Sequence, residues 1–332
     1  MAGAGSVVDW LLNVDPAIRW QAMRDLLGAP ESTWQAERAK VETEGWGARL
    51  LSHQDEDGQW AGGAFVPKGF DWSEWKAVGQ PWTATCFSLT QLRDFGLDPS
   101  SDQARRTVEL VGRNARWDEG GQPFWHGEVE ECINGRTLAD GAYFGADVTR
   151  IVDRLLQDVQ PDGGWNCDRS EGSVRSSFAS TINVLEGLLE YEIATGGSDA
   201  TRAARRSGEE FLLERRLFRR LTTGEAADAR FLSPLYPHRW RYDILRALDY
   251  FRKAGKQFGL IPDPRLAEAI AILKSKQDER GYWLLEWQTP GRVWFHMDDG
   301  PGAASPWITL KALRVLRWWE ADRALSTPPD AD

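Results

Sequence analysis

The sequence predicts an all-α protein, a single (α/α)6 toroid in which inner and outer helices alternate. Three observations predict it: a Gln-Asp-Gly-Trp segment recurs along the chain, each copy is followed by a helical apolar stripe, and more highly charged helical stretches lie between the copies.

The recurring segments read Gln54-Asp-Glu-Asp-Gly-Gln-Trp60, Gln160-Pro-Asp-Gly-Gly-Trp165 and Gln277-Asp-Glu-Arg-Gly-Tyr-Trp283, with a weaker copy at Trp117-Asp-Glu-Gly-Gly-Gln-Pro-Phe-Trp125. Asp-Gly or Gly-Gly provides a tight turn with positive φ. The indole can cover that turn, and the glutamine amide can bond exposed backbone groups. This accounts for much of the tryptophan content, 18 residues in 332, as scaffold.

An aromatic residue, a threonine and apolar residues four and seven positions later follow each corner, most clearly at Trp82/Thr85/Leu89/Leu92, Phe178/Thr181/Leu185/Leu188 and Trp307/Thr309/Leu313/Leu316. Looser copies begin at Thr137 and at Trp240/Asp243. The spacing is that of a buried helix whose N-terminus lies near the threonine or aspartate. Outer helices are expected over 33–53, 101–116, 147–160, 200–217 and 263–276, and a first pair over 4–13 and 16–28, the latter opened by Asp15-Pro16. The total is about six inner and six outer helices. One domain spans 1–325, and the Ser326–Asp332 tail, rich in Pro and Asp, reads as disordered.

Composition excludes several classes of function. A hydrophobic fraction of 42% with 27% charged residues suits a globular chain with a large core. The net charge of −10 argues against a nucleic-acid partner, which needs Lys and Arg to neutralise phosphates. The one basic cluster, Arg215, Arg216, Arg219 and Arg220, has the spacing of a solvated helix face. No apolar run reaches the length of a membrane span and no basic leader precedes Pro16, so neither export nor a transmembrane segment is expected. Cys86, Cys132 and Cys167 cannot all pair and form no CxxC motif, which fits a reducing cytoplasm. Phosphate loops, dinucleotide fingerprints, nucleophile elbows and HExxH strings are absent. Monomer and homodimer both remain open.

The corners resemble the QW motifs of squalene-hopene and oxidosqualene cyclases, and the helix alternation is similar to that superfamily and to protein prenyltransferase β subunits, over residues 45–320. The resemblance implies a single barrel whose outer-to-inner loops open at one end onto a central aromatic cavity, and a small, hydrophobic or amphipathic substrate. Those loops carry Asp71, Trp72, His126, Glu128, Asn134, Asn166, Arg175, His296, Asp298 and Asp299. Of these, Trp72, His126, Asn134, Asn166 and Arg175, together with Trp82, are candidate substrate contacts.

Prenyltransferase β subunits hold one zinc with an aspartate, a cysteine and a histidine at this end of the barrel, with Asp and Cys as an Asp-x-Cys pair. Here the string after the Trp165 corner is Asn166-Cys167-Asp168. Cys132 lies five residues before Thr137 and His238 five before Asp243, which are equivalent repeat positions, and Cys167 belongs to the loop between them. A Cys132/Cys167/His238 set with an open position is a catalytic type of zinc site, able to activate water or a substrate heteroatom. Glu128 is a candidate base beside it. The cyclases instead protonate an alkene with an Asp-x-Asp-Asp motif, whose nearest counterpart is His296-Met-Asp298-Asp299. Three functions therefore stand: zinc-assisted chemistry, a proton-initiated cyclase or isomerase using Asp298 or Asp299 with His296 beside them, and a non-catalytic ligand-binding or scaffold toroid.

Overall fold

A computed structural model describes residues 6–326. The chain is helical, and among the described residues the only β pairing consists of isolated bridges. A first hairpin pairs α1 (Val7–Leu12) with α2 (Pro16–Asp25). The Asp15 side chain caps α2 by accepting from Ala17 N at 2.9 Å, with Pro16 at the first helical position, as the sequence predicts.

The stretch expected as one helix over 33–53 is two, α3 (Glu31–Ala39) and α4 (Gly45–Leu51), joined by a 3-10 turn. The break has a cause. Gly45 adopts φ +64 and packs so close to Asp15 that a Cβ would lie 2.2 Å from Oδ2, while the neighbouring Trp46 N–H donates to that same oxygen.

After a short α5 (Trp75–Val78), predominantly buried helices alternate with more exposed ones. The buried series is α6 (Thr85–Phe95), α8 (Glu131–Phe144), α10 (Phe178–Thr195), α12 (Ile244–Phe258) and α14 (Pro306–Ser326). Between them run α7 (Asp102–Asn114), α9 (Thr149–Gln157), α11 (Asp199–Glu214) and α13 (Ala267–Ser275). Each of α6, α8, α10, α12 and α14 packs on the next of that series, α14 packs on α2, and α2 touches α6. Helices α8 and α10 approach most closely, because Gly135 and Gly187 face each other's helix. A Cβ on Gly135 would lie 2.5 Å from the Asn183 backbone, and one on Gly187 2.4 Å from Gly135 O. The tail read as disordered lies, apart from Ser326 at the end of α14, outside the described residues.

The three strong corners share one construction. Each indole Nε1–H donates at 2.8 Å to the carbonyl ten residues earlier, Trp60 to Leu50, Trp165 to Leu155 and Trp283 to Leu273. Each tryptophan N–H donates at 3.1 Å to the threonine of the following stripe, Thr85, Thr181 or Thr309. The corner thus satisfies a C-terminal carbonyl of the preceding helix and ties it to the next buried helix. Gln54 and Gln277 close their own turns by donating to Gly58 O and Gly281 O, whereas Gln160 reaches Ser173 O.

A further corner, with neither Gln nor Trp, lies at Arg219↔Ala226 and is not expected from the repeat. Its arginines do not form a helix face. Helix α11 ends at Glu214, Arg216 and Leu217 have positive φ, Arg219 pairs with Glu268, and Arg215 lies 3.8 Å over the Phe211 ring. Among the described residues, no helix is long and apolar enough to cross a membrane.

Candidate functional site

A cavity of about 490 Å³ opens at the N-terminal ends of the buried helices. Cys86 of α6, Cys132 and Arg136 of α8, Ser180 of α10 and Trp240 before α12 line it, and Trp72 and Trp75 stand at it as a half-exposed stacked pair with centroids 5.3 Å apart. Of the residues singled out in the sequence, Trp72, Asn166, Cys132 and Cys167 line this common space.

Cys132 lies in the first turn of α8 and Cys167 on the 3-10 turn Cys167–Glu171 after the Trp165 corner. The Cys132 N–H donates to Cys167 Sγ at 3.3 Å, Ser180 Oγ–H donates to the same sulfur at 3.3 Å, and Cys132 Sγ–H donates to Glu130 Oε2 at 3.5 Å. One ligand atom from each of Glu130, Cys132 and Cys167 falls within 4.8 Å of the others. That spacing and the two thiols fit zinc, whose Zn–S bonds are about 2.3 Å and whose soft-donor sites favour thiolates. The hydrogen bond to Cys167 and burial push the Cys132 thiol well above the ordinary thiol range.

His238 does not join this group. The Thr137 stripe lies inside α8, with Thr137 Oγ1–H bonded to Ile133 O at 2.9 Å, so Cys132 is helical. His238 belongs instead to the turn before α12, whose N-cap is Asp243. The two positions are equivalent in the repeat but not in space. His238 Nε2 lies 3.3 Å from Asp243 Oδ2 beside a separate small cavity, and burial, with Lys311 nearby, lowers its pKa and favours the neutral imidazole.

The other candidates divide. Asn134 is fully buried and braces the loop before α8, accepting from Glu128 N and donating to Glu128 O, both at 2.7 Å. Glu128 is buried and bonded to Glu130 N at 2.7 Å, and burial raises its pKa. Trp82 donates its indole N–H to Pro290 O, which makes it scaffold. His126 and Arg175 are exposed and line no described cavity.

Asp298, Asp299 and His296 also stand outside these cavities, and Asp299 and His296 are exposed. Burial pushes the Asp298 carboxyl up to about 6, opposed by a hydrogen bond from Ser305, and its Oδ1 is buried without a partner. A carboxyl raised in the folded state binds protons there that the unfolded chain has released. Its contribution to stability is therefore full below the unfolded pKa, near 3.9, and is lost as pH rises through about 6. Asp298→Asn is expected to stabilise the protein by about 1–3 kcal/mol at pH 7 and by little at pH 4. Urea unfolding at the two pH values checks this, and a gain that does not depend on pH would contradict it.

The structure adds Trp75 to the cavity wall and places there Glu130, one of three closely spaced acids before Cys132, and Arg136 of the Asn134-Gly-Arg136 string. For Glu130 the sequence signal was Glu130-Glu131-Cys132, an acid two residues before a thiol. Below the cavity the core is ionic rather than aromatic. Arg93 pairs with Asp140 at 3.1 Å, and Arg246 pairs with Glu186 at 2.6 Å. Burial pushes Asp140 up to about 6, whereas for Glu186 burial is outweighed by Arg246, which holds the carboxyl down to about 2. At the opposite, C-terminal ends of the buried helices lies a second cavity of about 520 Å³ with densely charged walls.

No family model matches this chain, and no curated protein is found similar to it. Among solved structures, a crystal structure of a protein from Actinoplanes is similar at 16% identity over 92% of this chain and 90% of that one, with a TM-score of 0.45.

Proposed function

We propose that this chain is a toroidal enzyme of the squalene-cyclase and prenyltransferase-like type, holding zinc through Cys132, Cys167 and Glu130 and acting on a small amphipathic molecule. The observation that carries the reading is the convergence of two thiols and a carboxylate, from two separate segments, on the wall of a 490 Å³ cavity. Support for the toroid comes from the helix contacts that run from α2 through α6, α8, α10, α12 and α14 and return to α2. A cavity of this size, bearing aromatic rings and a few polar groups, suits a small ligand.

Zinc held there would supply Lewis-acid polarisation of a substrate heteroatom or an activated nucleophile. The chain's own residues bind and orient. Trp72 and Trp75 offer apolar faces to the ligand body, and Ser180, by donating to the Cys167 sulfur, fixes its position. The two thiols favour a reducing compartment, as expected for the cytoplasm. The reading is preferred over proton-initiated cyclisation because Asp298 lines none of the described cavities.

Elemental analysis of purified protein is expected to find about one equivalent of zinc, lost in Cys132→Ala/Cys167→Ala and weakened in Glu130→Gln, with His238→Ala leaving the metal content unchanged. Metal-free protein whose thermal midpoint does not respond to added zinc would overturn the proposal. Zinc bound without turnover of any small molecule would favour the binding or scaffold role.

A further inference from the structure

Between the cavity beneath Trp72 and the charged interior lies a small space of about 50 Å³, and Arg136 lines both it and the larger cavity. Five cations, Arg93, Arg136, Arg239, Arg246 and Lys311, line this space against two carboxylates, Asp94 and Glu186. Arg93 and Arg246 have carboxylate partners, and Lys311 lies 3.8 Å from Asp249. Asp140, one turn along α8 from Arg136, is taken up by Arg93 and by Thr90 Oγ1–H at 2.8 Å.

That pairing leaves Arg136 and Arg239. Both are more than nine-tenths buried, at 6% and 7% exposure, and neither has a carboxylate partner among the described residues. Arg136 donates only to Thr90 Oγ1, at 3.2 Å, and Arg239 reaches Gln91 Oε1 at 3.5 Å. Their guanidinium groups lie over adjoining rings, Arg136 4.7 Å from Phe87 and Arg239 5.4 Å from Trp82, and those two rings touch edge to face at 4.9 Å. Stacking on a ring occupies a guanidinium face and leaves its N–H edges to bind an acceptor. Arg239 is also held at φ +56, a backbone region that a side chain of its size seldom adopts.

Burying one uncompensated cation costs several kcal/mol, and two neighbouring ones repel each other as well. An arrangement so unfavourable when empty is accounted for by an anion that completes it. We propose that Arg136 and Arg239 form a receptor for the carboxylate of a small amphipathic acid, whose apolar body fills the cavity beneath Trp72 and Trp240. The shape of the donors selects the headgroup. The N–H edges of two guanidinium groups match the two oxygens of a carboxylate. Arg136 follows Cys132 by one helical turn on α8, so a bound acid would present an atom about 6 Å from its carboxylate towards the thiols. The proposal deepens the zinc-site reading by naming the substrate class of that cavity.

The test is calorimetric titration with phenylacetate and with its neutral amide, phenylacetamide, on metal-free and on zinc-loaded protein, with thermal midpoints measured alongside. Phenylacetate is expected to bind metal-free protein at least about tenfold more tightly than the amide, with a Kd near the millimolar range of a fragment-sized ligand. Arg136→Gln and Arg239→Gln should each erase that preference, and Arg136→Lys should keep part of it. Arg136→Met should also raise the ligand-free thermal midpoint, because it removes an unpaired buried charge. Equal binding of acid and amide, or no saturable binding of phenylacetate up to about 20 mM, overturns the receptor. So does an unchanged preference in both glutamine variants. Because selectivity is read on metal-free protein, failure to hold zinc leaves this proposal standing, and zinc binding without acid selectivity defeats it alone.

Discussion

Trp283→Ala is expected to destabilise the protein by about 3–5 kcal/mol, a large part of the roughly 5–15 kcal/mol that holds a typical domain folded. The indole is 1% exposed, and its removal leaves a cavity between α13 and α14 that neighbouring helices can only partly fill. It also strands the Leu273 carbonyl, which accepts the indole N–H at 2.8 Å. Trp283→Phe separates the two effects. It keeps most of the ring packing and is expected to lose about 1–3 kcal/mol, chiefly from the unpaired carbonyl. Trp60 and Trp165 have the same bonds and burial, so their alanine variants should fall in the same range. Urea unfolding followed by circular dichroism measures all four. A loss below about 1 kcal/mol for Trp283→Ala would show that the corner decorates the fold without holding it.

These corners were legible in the sequence because their chemistry is local. The turn, the indole that covers it and the carbonyl ten residues back lie within one short stretch of chain. The all-α class followed from them, and the caps at Asp15 and Asp243 were read from equally local signals, the Asp15-Pro16 pair and the start of an apolar stripe. The corner at Arg219↔Ala226 was hidden because it is built without tryptophan, from Tyr242 Oη–H bonded to Leu217 O and an Arg219–Glu268 pair that joins residues far apart in sequence.

The candidate site was half legible. Cys132 and Cys167 were singled out by residue type and repeat position, but which third group lies beside them depends on helix phase. Cys132 sits inside the first turn of α8 and looks across at Glu130, whereas His238 is drawn to Asp243 by a turn the repeat does not share. Arg239 gave no signal, and Arg136 gave only that of a turn-forming residue or ligand donor beside Asn134, because a buried arginine without a partner is recognised only when its partners have been counted in three dimensions.

The same counting applies at the opposite end of the molecule, where Asp249→Asn is expected to cost about 3–5 kcal/mol. Asp249 on α12 accepts from Arg314 Nε and Arg252 Nε, each at 2.8 Å, and lies 3.8 Å from Lys311 Nζ. Asparagine preserves the size and one acceptor but leaves three buried or half-buried cations facing one another across a neutral amide. Burial alone would raise the Asp249 carboxyl, yet Arg314, Arg252 and Lys311 outweigh it and hold the pKa well below the usual carboxylate range. A carboxyl depressed in the folded state contributes stability that is fully present above the unfolded value near 3.9 and is lost as pH falls through the folded value. The wild-type protein should therefore lose stability steeply below about pH 4, and Asp249→Asn should show a shallower acid limb from a lower plateau. Arg314 also donates to Gln21 Oε1 at 2.9 Å and lies 3.6 Å from Asp25, so the carboxylate fixes the arginine by which α14 reaches back to α2. Loss of Asp249 should accordingly loosen the junction between the first and last helices of the series. Amide hydrogen exchange should show this as faster exchange in α2 and α14 than in α8 and α10. Uniform exchange together with an unchanged acid limb would mean that water in the 520 Å³ cavity already screens these charges.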